Sequence, residues 1–149
     1  MITLRLPIPP SANRYWRTYM PKGFKAPVTT LSAEAKAYKQ EVGWLAKAAG
    51  IHTPIAGRVS VSFDYYPKRP QDWQKRARID PQGWDDGVSA LDIDNIFKGL
   101  LDALKDVVFE DDKWVREIHA KRMEPDGEAR VIVTIKQIEK VSVQDVFVI

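Results

Sequence analysis

Leu91-Asp92-Ile93-Asp94-Asn95-Ile96-Phe97-Lys98-Gly99-Leu100, continued by Leu101-Asp102-Ala103-Leu104-Lys105, is the stretch around which the rest of the chain is organised. Apolar residues recur at Ile96, Phe97, Leu100, Leu101, Leu104, Val107 and Val108, which predicts an amphipathic helix with one core face, fed by a short extended segment. At about 100° per residue, Asp94, Lys98, Asp102 and Lys105 fall within roughly 80° of one another on the opposite side. That polar stripe can face a substrate, and Asp94 stands where an N-cap is needed. Asp92 and Asp94 are two apart in chain expected to be extended, so both carboxylates leave the backbone on one side and can converge on one ion. A plainer reading exists, because surface helices carry Asp at the N-cap and Asp/Lys pairs at i, i+4 for capping and solubility alone. Against it stands a second acidic cluster, Glu110-Asp111-Asp112, expected as the helix ends, where carboxylates oppose the negative end of the macrodipole. Such a departure from local rules is expected where function chose the residues.

Bulk composition narrows the class. The 149 residues are 44% hydrophobic and 29% charged, as in an ordinary globular chain, and one domain over residues 1–149 is expected. No apolar run approaches a membrane span, and Arg5 and the prolines interrupt any signal-peptide core, so no membrane association and a cytoplasmic location are expected. The absence of cysteine excludes disulfides, thiol catalysis and cysteine-ligated zinc. A metal would be held by oxygen or by His52 and His119, which read as loop surface and as a strand residue. A formal net charge of +3 is compatible with nucleic acid without demanding it.

Upstream of the central stretch, Ile2 to Leu6 alternates as a strand that Pro7, Pro9 and Pro10 must end. Asn13-Arg14-Tyr15-Trp16-Arg17, with Tyr19, Lys22 and Lys25, interleaves cations and rings in a loop that offers phosphate contacts and stacking platforms. Tyr15 and Trp16 can equally be buried anchors while Arg14 and Arg17 face out. Ser32 caps a helix that runs to Ala49, and Val59, Val61, Phe63 and Tyr65 alternate strictly in a central strand. Residues 67–90 read as a long loop, mobile without substrate, whose cluster Lys75, Arg76 and Arg78 is either a DNA contact or a solvated charge run. Downstream, Trp114 to Met123 and Ala129 to Gln137 read as strands of a hairpin turned by Pro125-Asp126-Gly127. The C-terminal extension, residues 138–149, is apolar enough to be covered by the domain's own surface or a partner subunit.

Three blocks carry a resemblance. Asp92-Ile-Asp94-Asn95-Ile-Phe-Lys98-Gly-Leu-Leu-Asp102-Ala-Leu with Asp111-Asp112 and Val115 resembles the core motif of RusA-type Holliday junction resolvases. Pro9-Pro10-Ser11-Ala12-Asn13-Arg14-Tyr15-Trp16-Arg17 resembles their N-terminal signature, and Leu31-Ser32-Ala33-Glu34-Ala35-Lys36-Ala37-Tyr38 their first-helix start. Two departures stand out: residues 67–90 are longer than the family pattern, and Leu91 occupies the place of a basic residue before the first aspartate. The Lys75, Arg76 and Arg78 cluster can substitute for that missing charge.

The resemblance implies an α+β single domain, a mixed β-sheet flanked by two helices, acting as a structure-selective endonuclease on branched DNA in recombination and repair. A bacterial or phage-encoded origin is implied too. Phosphodiester hydrolysis needs an activated water and tolerance of developing negative charge, and a divalent metal supplies both. Asp92, Asp94 and Asp112 are the expected ligands, with Asp111 replacing Asp112 if the register differs by one. Magnesium suits an all-oxygen site, manganese can replace it, and no small-molecule cofactor is expected. Spacing alone makes Lys98 an ion-pair partner of Asp94 or Asp102, whereas the resemblance puts it in the catalytic set. Asp102 reads as an ion-pair residue. Asn13, Arg14, Arg17, Lys75, Arg76 and Arg78 are the candidate DNA contacts. Two symmetric cuts in a four-way junction imply a two-fold homodimer. A catalytically silent junction binder and a flap or branched-DNA nuclease are the alternatives.

Overall fold

The computed structural model describes residues 1–140. The chain runs β1 (Ile2–Leu6), α1 (Ala12–Tyr15), β2 (Trp16–Tyr19), β3 (Val28–Leu31), α2 (Ala33–Ala48), β4 (Val59–Tyr66), α3 (Trp73–Ile79) and α4 (Ile93–Leu104). A 3-10 turn at Asp112–Trp114, β5 (Val115–Arg122) and β6 (Arg130–Gln137) complete it. The main sheet has the order β1-β6-β4-β5, antiparallel except for the β4–β5 pair, and β2–β3 forms a separate two-stranded sheet. The fold is therefore α+β with a mixed sheet, as expected. Two long helices, α2 and α4, pack on the sheet as expected; the short α1 and α3 are additions.

Alternation decides which face of the sheet is covered. Val59, Val61, Phe63 and Tyr65 of β4 are buried, as are Leu4 and Leu6 of β1 and Val131, Val133 and Ile135 of β6. They meet Tyr38, Val42 and Ala46 of α2 and Ile96, Leu100, Ala103 and Leu104 of α4 in one hydrophobic core. Ser32 caps α2 as predicted, its hydroxyl accepting the Ala35 N–H at 3.1 Å.

The predicted β5–β6 hairpin is not formed, because β4 lies between the two strands and pairs with both. The Pro-Asp-Gly signal marks a chain reversal but carries no information about which strand fills the gap. The connection passes the end of β4, where the Met123 N–H donates to Tyr65 O at 2.7 Å. The strand buried most completely takes the middle, and the parallel β4–β5 pair is bridged by a crossover through α3 and α4. Among the described residues β5 is an edge strand, with most of its side chains exposed.

Residues 67–90 are not a featureless loop. They contain α3, and Trp84 is only 7% exposed, its Nε1–H donating to Glu124 at 2.6 Å. Residues 13–17 are likewise structured, ending α1 and opening β2. The apolar tail from 141 onward, most of the predicted C-terminal extension, lies outside the described residues.

Candidate active site at the start of helix α4

Helix α4 begins two residues earlier than predicted. Asp92, not Asp94, is the N-cap residue, and Asp94 already lies in the first turn. The two carboxylates therefore do not leave an extended strand side by side, although both stay at the same helix end. The Asp92 carboxylate makes no capping bond; its backbone carbonyl accepts the N–H groups of Asn95 and Ile96 at 3.1 and 3.2 Å. Asp92 and Asp94 are both exposed, at the end of the helix whose partial positive charge favours anions.

One turn further, Lys98 is exposed and, among the described residues, has no carboxylate within ion-pair distance. The pairing with Asp94 or Asp102 that spacing favoured is not made. Asp102 is committed elsewhere: it accepts the Tyr15 hydroxyl at 2.7 Å and lies 3.6 Å from Lys39 Nζ. Burial, reinforced by the Asp102 carboxylate, pushes the Tyr15 hydroxyl far up, so it stays a donor. The predicted polar stripe is thus split, with Asp94 and Lys98 open and Asp102 covered by α1 and α2.

The backbone entering α4 is pinned by groups that sequence reading did not single out. The Leu91 N–H donates to Tyr65 Oη at 3.1 Å, and Arg122 Nη2 donates to Val88 O at 3.0 Å. Tyr65 looks like one more apolar residue in an alternating strand, so only the fold reveals that its hydroxyl holds the residue next to Asp92. On the other flank the Tyr15 ring and Pro9 lie so close to α4 that a Cβ on Gly99 would meet them at 3.0 to 3.2 Å. This brings the Pro9–Arg14 segment against the helix. A cleft of about 430 Å³, lined by Pro9, Pro10, Ser11, Arg14, Glu34 and Leu91, opens beside Asp92.

Asp111 and Asp112 lie elsewhere. Helix α4 ends at Leu104, and Asp106 adopts a left-handed conformation at φ 65°, so the acidic cluster follows a reversal rather than the helix end. Asp111 Oδ1 is 4.0 Å from Lys105 Nζ. Partial burial pushes the Asp112 carboxyl up; nearby Lys105 pulls it down, and Asp111, Asp102 and Asp106 push it up again. These neighbours place Asp112 at the C-terminal end of α4, a helix about 18 Å long from its 12 residues. Among the described residues, no three acidic or histidine side chains gather into a metal-holding group. One chain thus keeps Asp92 and Asp94 at one end of α4 and Asp112 at the other, so the full expected ligand set does not fit within it. His52 and His119 are exposed, in a loop and on β5.

The candidate DNA contacts divide similarly. Asn13, Arg14 and Arg17 are exposed around α1 and the start of β2. Lys75 and Arg78 are exposed on α3, while Arg76 is half-buried with its Nε donating to Asp72 at 2.9 Å. No helix among the described residues is long and apolar enough to cross a membrane.

Comparison with known proteins agrees with these motifs. The chain is 29% identical over 109 residues to the uncharacterized protein YqaN of Bacillus subtilis (strain 168), covering 71% of this chain and 76% of that protein. The profile of the family described as Endodeoxyribonuclease RusA matches residues 7–136, from the prolines before α1 to the penultimate residue of β6. With that match spanning most of its length, the chain belongs to the RusA endodeoxyribonuclease family.

Proposed function

We propose that this protein is a structure-selective endonuclease that resolves four-way DNA junctions in recombination and repair, working as a two-fold homodimer in the cytoplasm of a bacterial or phage-infected cell. The observation that carries the reading is the start of α4. There Asp92, Asp94 and Lys98 stand exposed, with no cap or ion pair among the described residues to account for them. The helix dipole accounts for carboxylates at this end but not for an exposed lysine one turn on that pairs with neither of them, and the three together suit phosphodiester chemistry.

Asp92 and Asp94 would hold a divalent metal, magnesium or manganese, which would supply an activated water and charge neutralisation when bound. Asp112 lies at the far end of α4, so it would complete the set from a second copy, which is a further reason to expect a dimer. Lys98 would stabilise the charge that develops on the scissile phosphate. Arg14 would hold the strand in the cleft beside Asp92, and Asn13, Arg17, Lys75 and Arg78 would contact flanking phosphates. Tyr65 and the Tyr15–Asp102 bond keep both flanks fixed during this work.

The test is incubation of the purified full chain with a synthetic four-way junction, a flap and a plain duplex, with and without magnesium. Paired, symmetric nicks confined to the junction are expected, and none without metal. Cleavage of the flap in preference to the junction would overturn the substrate assignment. Junction binding with no cleavage by any divalent metal would overturn the catalytic one.

A further inference from the structure

The hairpin β2–β3 packs Trp16 and Leu31 at its base against the core and leaves the apolar side chains of its tip exposed. Among the described residues its strands pair only with each other, from Trp16↔Leu31 to Tyr19↔Val28. Tyr19, in the last pair, is 40% exposed, and beyond it Met20 is 57% and Phe24 61% exposed. A two-stranded ribbon is marginal alone, and large apolar side chains in water contribute nothing to its folding. Yet the tip contains a defined turn. The Phe24 N–H donates to Pro21 O at 3.1 Å, and Gly23 at φ 85° supplies the positive φ of a type II turn. Thr18 and Thr29 hydroxyls meet across the strands at 2.9 Å. At the base the Ser32 N–H donates to Tyr15 O at 2.9 Å and the Ser32 hydroxyl to Arg14 O, tying the ribbon to the segment beside Asp92.

Charge indicates the occupant. From Asn13 to Ala33 the chain carries Arg14, Arg17, Lys22 and Lys25 and no acidic residue, although the whole chain is nearly balanced at 23 basic against 20 acidic residues. Lys22 is exposed within the turn and Lys25 just after it, and Arg17 lies 5.1 Å from the Tyr19 ring. An apolar tip flanked only by cations suits a polyanion whose stacked interior can be entered, rather than a protein surface of mixed charge. Apolar side chains driven between base steps unstack them, at a cost of about a few kcal/mol per step that is least where pairing is already weak. A branch point is such a place.

We infer that the β2–β3 hairpin is a wedge that enters the branch point of DNA, with Phe24 and Met20 against the bases there and Lys22 and Lys25 on the adjoining phosphates. This rests on the junction-endonuclease reading. It adds a device that reads branching, separate from the carboxylates that cut. Seated there, the hairpin positions the strand held by Arg14 against Asp92.

The experiment uses the full chain carrying Asp92→Asn, so that binding is observed without cutting, and a four-way junction with 2-aminopurine beside the branch point. The parent should raise the fluorescence as the base unstacks. A Met20→Ala/Phe24→Ala double variant should lose that rise while its thermal melting and plain-duplex binding stay unchanged, since both side chains are exposed. With Asp92 restored, the double variant should cleave the junction slower by roughly tenfold or more, from misplacement of the strand. Lys22→Ala/Lys25→Ala should instead weaken junction binding and reduce its salt slope by about one to two. Undiminished fluorescence and cleavage in the apolar double variant would overturn the wedge while leaving the endonuclease reading intact. A fall in its oligomeric state would overturn it too, by assigning the hairpin to a subunit contact. If the parent itself fails to prefer the junction over duplex, the junction reading falls and takes the wedge with it.

Discussion

Two helix-interior glycines should respond oppositely to the same substitution. Gly43 in α2 and Gly99 in α4 both lie inside helices, where Ala is favoured over Gly by about 0.8–1 kcal/mol. A Cβ at Gly43 would meet nothing within 4 Å, so Gly43→Ala should stabilise by most of that amount, roughly 0.5–1 kcal/mol. At Gly99 the new Cβ would sit 3.0 Å from Tyr15 Cδ2 and 3.2 Å from both Tyr15 Cε2 and Pro9 Cβ. Carbon atoms prefer about 3.5–4.0 Å, so ring or helix must move. Tyr15 has little freedom to do so, being fully buried and anchored to Asp102 through its hydroxyl. Overpacking of this kind typically costs about 1–3 kcal/mol, which outweighs the helix gain and leaves Gly99→Ala about 1 kcal/mol destabilised. Urea unfolding of both variants at one protein concentration checks this, with a gap of roughly 2 kcal/mol expected between them. Displacement of Tyr15 should also carry Arg14 away from the cleft and weaken DNA binding in Gly99→Ala alone. A Gly99→Ala protein as stable as Gly43→Ala, with DNA binding intact, would refute the close packing of α1 on α4.

Lys98→Ala should reduce single-turnover junction cleavage by roughly 10²-fold or more while stability shifts by less than about 0.5 kcal/mol, because the lysine is exposed and has no ion pair among the described residues. Wild-type rates in both Lys98→Ala and Lys98→Arg would remove it from the catalytic set. Asp92→Asn and Asp94→Asn should abolish cleavage and leave junction binding equal or tighter in a gel-shift assay, since each removes a negative charge facing phosphate. Tyr65→Phe takes away the acceptor of the Leu91 N–H and should cost about 1–3 kcal/mol in a denaturant melt, with slower cleavage because Asp92 loses its anchor. Arg130 donates to both Asp126 carboxylate oxygens, at 2.7 and 2.9 Å, holding that carboxyl below the usual range. Its contribution is therefore present above the ordinary carboxyl pKa of about 4 and lost as pH falls through the lower folded value, so wild type and Asp126→Asn should converge in stability in acid.

Local sequence determined the elements wherever one physical rule acted alone. Period-2 burial identified β1, β4 and β6, Ser32 set the start of α2, and the apolar stripe from Ile96 to Leu104 located the buried face of α4. Motif residues carried the family and the candidate site, because chemistry on phosphodiesters constrains residue type and spacing more tightly than packing does. Tertiary structure decided what depends on competition between distant segments. The turn after β5 is a genuine reversal, but β4 outcompetes β6 for that strand's edge through a parallel pairing that no local pattern encodes. Asp102 and Lys98 look alike as partners on a helical wheel, yet a tyrosine 87 residues away takes Asp102 and leaves Lys98 without an ion pair among the described residues. The tight turn at Asp106 keeps Asp112 beside Lys105 at the C-terminal end of α4, a helix's length from Asp92 and Asp94. Spacing sets which side chains share a helix face; only the packed neighbours set which of them remain available for chemistry.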